Sequence, residues 1–219
     1  MKKILLTVAL LLTFYFIGCD KVTNPEDSLG NITAKQKVDD VLQKARLDFA
    51  IDVKLSAIYG WNVDLNGNVD LLETDNAFVY VVQSDQLQDN AFYVPVFAAG
   101  PIESPIDFNT MLSFVKDSTA GDILDRVFGR LSTLAIDPNA NYKDSPATVD
   151  TALAHGGTNF IAQNADAKID LFLVPSKSID TTLAVNNSAD WIVNFYSSSK
   201  SLVLWINSNS GVVTKLSGN

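Results

Sequence analysis

Two side chains are singular in this 219-residue sequence: Cys19 is the only cysteine and His155 the only histidine. A thiol is a strong nucleophile when ionised, but Cys19 ends an uncharged apolar run, Ile4 to Ile17, directly after Gly18. That position suits covalent modification rather than packing in a core. Any histidine-based dyad or triad would have to use His155, and no Gly-x-Ser-x-Gly elbow surrounds a serine. His155 sits in Ala154-His155-Gly156-Gly157, where two glycines break or kink a helix. It could be a general base exposed at a bend. The simpler reading, a solvent-exposed or locally bonded histidine, is the expected one, and no catalytic residue is assigned.

Metal chemistry is narrowly bounded. With one histidine and a cysteine committed elsewhere, a zinc site has almost no ligands, and carboxylates suit harder cations. Asp64, Asn66, Asn68 and Asp70 alternate, with Asp75 at the twelfth position counted from Asp64, as in a calcium loop. Val69 stands where that loop requires glycine, and Gly67 is out of place. Alternation about Asn66-Gly67, a type I′ hairpin signal, explains the same residues as the solvent face of a hairpin. No metal or other cofactor is expected, and these four are the only cation candidates. Trp61, Trp191 and Trp205 all fall on predicted strands. They are the candidates for a sugar- or peptide-binding platform, against the commoner role of core packing. Nothing nominates a pair of glycosidase carboxylates, and Gly156-Gly157 lacks the spacing of a nucleotide-binding loop.

The first residues read as an address. Lys2 and Lys3 precede the apolar run, which is about fourteen residues long, short of the roughly 20 a membrane-spanning helix needs. Phe16-Ile17-Gly18-Cys19 resembles the bacterial lipobox, departing from it at Phe16, where leucine is usual. The resemblance implies export, transfer of a diacylglyceryl group to the Cys19 thiol, cleavage between Gly18 and Cys19, and further acylation of the new N-terminus. The mature chain is then anchored to a membrane by its lipid. Asp20 resembles an inner-membrane retention signal, but that code varies between phyla. The outer membrane or cell surface is the expected address, with the inner membrane left open.

Loss of Lys2 and Lys3 from 16 basic residues leaves 14 against 25 acidic ones, a net of −11 for the mature chain. Such a surface argues against nucleic acid, which needs basic patches. With no second cysteine, stability must come from burial, not disulfides.

The elements that must position these residues form a pattern. Residues 1–18 are the signal, and residues 19–33 the lipidated N-terminus and a flexible tether. Thr33 and Gln36 have capping-box spacing, and Val38, Val41, Leu42, Ala45 and Phe49 make one helical face. Strands follow at 59–65, continuing past Asn66-Gly67, then at 77–84 and 91–98, where Pro95 suggests an edge or bulge. Residues 100–145 read as a helical connector. Phe108, Met111, Leu112 and Val115 form one face, and Ile123 to Leu134 another, with Thr119 and Asp122 as its capping box; a loop follows at 137–146. The first pattern then returns. Val149-Asp150-Thr151-Ala152-Leu153 aligns with Val38-Asp39-Asp40-Val41-Leu42, and Asp166-Ala167-Lys168-Ile169 with Asp52-Val53-Lys54-Leu55. Strands are predicted near 168–174, 179–185, 190–197, 201–207 and 211–216.

The expected fold class is therefore α+β: two degenerate tandem repeats, 34–99 and 146–219, each a helix packed on an antiparallel meander, with a helical pair between them. This arrangement resembles the cystatin-like and PepSY modules of bacterial envelope proteins. The stretches Trp61-Asn-Val-Asp-Leu-Asn-Gly67-Asn-Val and Trp205-Ile-Asn-Ser-Asn-Ser-Gly211-Val-Val are similar to the strand-turn-strand of PepSY repeats. What the resemblance implies is a non-enzymatic binding or inhibitory module; it transfers no functional residue. The expected function is a lipid-anchored envelope protein that binds a protein, peptide or glycan. The alternatives are a structural accessory subunit of an envelope complex and an envelope hydrolase.

Overall fold

A computed structural model describes residues 30–104, 127, 129–180, 182 and 188–218. Its elements are β1 (Asn31–Ile32), α1 (Val38–Asp48), β2 (Lys54–Trp61), β3 (Val69–Asp70), β4 (Ala77–Ser84), β5 (Asp89–Val96) and β6 (Gly100–Glu103), followed by α2 (Ser145–Ala152), a π-turn (Leu153–Gly157), α3 (Thr158–Gln163), β7 (Lys168–Pro175), α4 (Ser176–Ile179), β8 (Ala189–Tyr196), β9 (Ser201–Ile206) and β10 (Val213–Gly218). The fold is mixed α and β, built on an open eight-stranded sheet of order β10-β9-β8-β7-β2-β4-β5-β6. Every pairing in it is antiparallel. The first half of the chain supplies one side of the sheet and the second half the other. They meet where β2 pairs β7 through Ile58↔Leu173, Tyr59↔Phe172 and Gly60↔Leu171.

Both faces of the sheet are buried, and this explains the sequence of its central strands. β4 reads Ala-Phe-Val-Tyr-Val-Val-Gln-Ser with every residue buried, a continuous apolar run rather than the alternation of a half-solvated strand. On one face Ile58, Phe78, Tyr80, Leu171, Trp191 and Phe195 pack against Val41 and Ala45 of α1 and Val149 and Phe160 of α2 and α3. On the other, Ala57, Tyr59, Val81, Phe172, Ile192 and Val203 form a second core with Val127, Leu131 and Ile179. A bulge in β2 between Leu55 and Ala57 turns Ser56 inward. Its hydroxyl lies 2.6 and 2.7 Å from the carbonyl oxygens of Leu131 and Leu134 and ties that segment to the sheet.

The helix of the first half starts at Val38, and residues 34–37 before it are turns. Only half of the capping box forms: Thr33 N–H donates to Gln36 Oε1 at 2.9 Å. The Thr33 hydroxyl leaves its own helix and donates to Asp144 Oδ2 at 2.7 Å, because the ionised carboxylate is the stronger acceptor. Asp144 is the N-cap of α2, accepting from Ser145 N–H at 2.7 Å, and it also takes Lys35 N–H at 3.0 Å. Ala34 N–H donates to Ser145 Oγ at 3.0 Å. Lys35 reaches the Tyr142 carbonyl and lies 4.1 Å from the centre of the Tyr142 ring. The two helix starts are thus clasped together.

Several expectations are corrected. Residues 59–65 are not one strand: β2 ends at Trp61, and Asn62, at φ 50°, reverses the side-chain pattern. Trp61 therefore packs with the second core and Val63 with the first. The returning segment β3 pairs with β1, not β2, so Asn31 and Ile32 belong to a small sheet rather than to the tether. Gly100–Glu103, assigned on sequence to the helical connector, is the edge strand β6. Its Pro101 faces Pro95 of β5, so two residues lacking N–H groups oppose each other at the sheet margin. The strand expected from residue 179 is absent there, since Ile179 ends the short helix α4. The faces Phe108–Val115 and Ile123–Val127 of the expected helical pair lie mostly outside the described residues, as does the Thr119–Asp122 box. Of the described residues at its end, Val127 is helical and residues 129–133 are turn.

Candidate functional site

Gly18 and Cys19 lie outside the described residues. Among the described residues, no helix is long and apolar enough to cross a membrane.

The carboxylate of Asp64 faces its own loop. Oδ1 accepts from Asn66 N–H at 2.8 Å and Asn68 N–H at 2.7 Å. The backbone closes through Gly67 N–H to Asp64 O at 3.0 Å and Asp64 N–H to Asn68 O at 2.9 Å. This is a type I turn with a G1 bulge, because Gly67 at φ 76° is left-handed and Asn66 is not. The expected type I′ turn would need both. A Cβ on Gly67 would also fall 2.5 Å from Ser145 O. Asp70 Oδ1 accepts from Leu72 N–H at 2.9 Å, and Asp70 N–H donates to Asn76 Oδ1 at 3.1 Å. Asp64 and Asp70 are thus each spent on their local backbone. Among the described residues, no group of three or more metal-ligating side chains comes together.

The three tryptophans do not share a surface. Trp191 is fully buried and donates Nε1–H to Lys143 O at 2.8 Å. Trp205 and Trp61 are half-buried on the opposite face. His155 is exposed on the π-turn, with Nδ1 2.8 Å from Thr151 O. The expected kink is real: Gly156 at φ 117° widens the turn, and α3 follows at once.

Two buried aspartates form the polar centres of the second sheet face. Asp190, with no exposed surface, accepts from Trp205 Nε1–H at 3.0 Å, Ser208 N–H at 2.9 Å and Asn207 Nδ2 at 3.4 Å. It fixes the β9–β10 turn. Asp170 accepts from Tyr59 Oη at 3.0 Å and Asn62 N–H at 2.9 Å, and from the Tyr196 hydroxyl. The Tyr59 ring stacks on Phe172 at 4.5 Å between centroids, which holds its hydroxyl on the carboxylate. Burial raises the Asp170 carboxyl to about 6, against the lowering pull of the Asn62 amide and the two tyrosine hydroxyls. Burial beside this carboxylate likewise pushes the Tyr59 hydroxyl well above the usual phenol range. Sequence reading passed over both aspartates. The signal was a single charge inside an apolar strand run, in Lys168-Ile-Asp-Leu-Phe-Leu-Val and Ala189-Asp-Trp-Ile-Val.

Searches for relatives find no matching family model, no matching curated protein and no matching solved structure.

Proposed function

We propose that this protein is a lipid-anchored lipoprotein of the cell envelope whose folded part is a non-catalytic module that binds a partner protein. The observation that carries the anchor is the N-terminal sequence, a basic start, an apolar run and Gly18-Cys19. Diacylglycerol on Cys19 would be its only prosthetic group, and the outer membrane or cell surface its address. An acidic chain, net −9, supports a partner other than nucleic acid.

A degenerate duplication of a PepSY- or cystatin-like unit accounts for the internal correspondences. Asp52 and Asp166, 114 residues apart, each precede the strand of their half that lies at the middle of the large sheet, β2 and β7. Each closes the next hairpin: Asp52 accepts from Ser84 Oγ at 2.6 Å and Gln86 N–H at 3.1 Å, and Asp166 from Ser198 N–H at 2.9 Å. The same shift exchanges the pairs Ile58↔Leu173 and Tyr59↔Phe172, as a pseudo-two-fold axis between β2 and β7 requires. Thr33 with Asp144, and Ala34 with Ser145, are aligned positions that touch each other.

The duplication makes one half an internal control for the other. Ile51 and Leu87 flank the Asp52–Gln86 hydrogen bond and are 72% and 54% exposed, while Leu47 in the last turn of α1 is 79% exposed. Ala165 stands 114 residues after Ile51, and the corresponding β8–β9 turn, Ser197-Ser198-Ser199-Lys200, carries no apolar side chain. The unit therefore folds without apolar side chains there, and exposed leucine and isoleucine fit a protein contact. Strand addition is not favoured as the binding mode. β6 is short and carries Pro101, and β10 has a bulge beside Lys215; all of these discourage edge pairing.

The anchor is tested by labelling cells with a clickable palmitate analogue. Wild type incorporates label and sediments with membranes, and Cys19→Ala does neither; a membrane-bound, unlabelled wild type sinks the proposal. The binding role is tested by capture from an envelope extract on immobilised 20–219. One stoichiometric protein lost in an Ile51→Ser/Leu87→Ser double variant supports it. Retention of a glycan, or of nothing above background, overturns it.

A further inference from the structure

The large sheet has two ends, and the chain enters at one of them. The carbonyl of Gly30, the first described residue, accepts from Leu71 N–H at 2.9 Å. From there the chain runs into Ala77 at the start of β4, which pairs with Trp61 at the end of β2. The opposite end carries Lys54, Gln83 and Ser84. Just beyond them lie Ile51 and Leu87, on two segments that Asp52 ties together through Ser84 and Gln86. β4 is eight residues long, so the two ends stand about 23 Å apart at about 3.3 Å per residue. Because β7 runs antiparallel to β2, the equivalent turn of the second half, Ser197-Ser198-Ser199-Lys200, lies at the Gly30 end. The apolar version of the turn therefore faces away from the chain's entry, and the polar version stands beside it. Arg46, next to Leu47 in the last turn of α1, is exposed and has no ion pair among the described residues, whereas Lys44 and Lys54 are paired with Asp48 and Asp85.

We propose that the folded part stands on its membrane with the Gly30 end down, and that Leu47, Ile51, Leu87 and Arg46 dock a water-soluble protein arriving from the aqueous side, whose contact surface is apolar and edged by a carboxylate. This rests on the lipid anchor and the partner site proposed above. Gly30 follows Cys19 by eleven residues, which reach at most about 40 Å when fully extended. Turning the domain over to bring Leu87 onto the lipid would lift Gly30 by the length of the sheet and its loops. Most of that reach would then be used, and the chain's conformational freedom lost with it. The upright arrangement needs no such extension. A protein embedded in the same bilayer therefore meets the Gly30 end, where Asp64, Glu73 and Asp75 are exposed and residues 64–76 include no basic side chain. A protein in the aqueous space meets the apolar end. Arg46 sets the complementary charge, because a guanidinium covered by a contact needs a partner and matches a carboxylate with paired hydrogen bonds.

The test uses the mature lipidated chain, in which acylated Cys19 leaves an introduced cysteine as the only free thiol. Thr74→Cys marks the Gly30 end and Gln86→Cys the far end, both at exposed positions. Each carries a fluorophore in phosphatidylcholine vesicles that contain a lipid with a nitroxide headgroup. Quenching at position 74 should be at least threefold that at position 86. Equal quenching, or more at 86, in a chain that floats with the vesicles overturns the orientation alone. A chain that does not float overturns the anchor, and the orientation with it. For the partner, a benzophenone side chain incorporated at position 86 is irradiated in intact cells. The expected result is one adduct, with a protein that has no membrane-spanning segment. Its yield should fall at least fivefold in Arg46→Glu and hold in Lys200→Glu, a change at an exposed site of the Gly30 end. An adduct with an integral membrane protein or a second copy of this chain, no adduct, or a yield indifferent to Arg46→Glu overturns the assignment.

Discussion

The hydroxyl of Thr33 and the carboxylate of Asp144, far apart in sequence, meet over 2.7 Å where the two helix starts converge. Asp144 serves both ends of this contact, since it also caps α2 and holds the Lys35 amide. Asp144→Ala removes an N-cap and two long-range hydrogen bonds, and should cost about 2 to 3 kcal/mol in urea denaturation. Thr33→Val removes one bond and should cost about 1 kcal/mol. The double variant should fall short of the sum, as expected for residues in one network. Strict additivity would mean that the clasp does not couple the two helix starts.

Gly157 lies where α3 crosses β8. A Cβ there would sit 2.4 Å from Phe195 Cζ, whose ring is wedged into the first core. Gly157→Ala should destabilise by about 1 to 3 kcal/mol through overpacking, and Phe195→Leu should recover part of that loss. A Cβ on neighbouring Gly156 would make only an ordinary van der Waals contact, 3.5 Å from Leu202 Cδ2, but φ there is 117°, so Gly156→Ala should cost about 1 to 2 kcal/mol through backbone strain. No change at Phe195 should rescue it.

Stability should fall as pH rises. The folded Asp170 carboxyl, near 6, holds its proton more tightly than the unfolded one, near 3.8. Between these values the native state binds more protons than the unfolded state, so its stability drops with pH. Below the window the contribution is fully present, and above it the loss is complete, up to about 3 kcal/mol for a shift of about two units. Thermal unfolding at pH 4.5 and 7.5 measures it. Asp170→Asn should flatten this segment of the profile, and Tyr59→Phe, by withdrawing one donor from the carboxylate, should steepen it.

Trp191 and Trp205 should answer differently to the same change. Trp191→Phe opens space in the first core and orphans the Lys143 carbonyl, for a cost of about 2 to 4 kcal/mol. Trp205→Phe keeps most of its half-buried packing but takes one of three donors from buried Asp190. Its cost should be smaller and should appear as faster proteolysis at the β9–β10 turn, residues 207–212. Loss of partner binding without loss of stability in either variant would restore the tryptophans as a binding platform.

The sequence by itself determined the α+β class, most strand positions, α1, the kink at Gly156-Gly157 and the buried positions Val41, Ala45 and Val149. All of these follow from short-range rules: side-chain period, glycine freedom and turn chemistry. Only the tertiary structure decided which strands are neighbours. That β2 meets β7, that β3 turns away to β1, and that Thr33 abandons its own helix for Asp144 depend on partners far along the chain, and local pattern carries no record of them. The same holds for the polar centres. Asp170 and Asp190 look like solvated charges until both faces of the sheet are covered. Burial then makes every unsatisfied polar atom costly and turns an ordinary carboxylate into a group that three donors must hold.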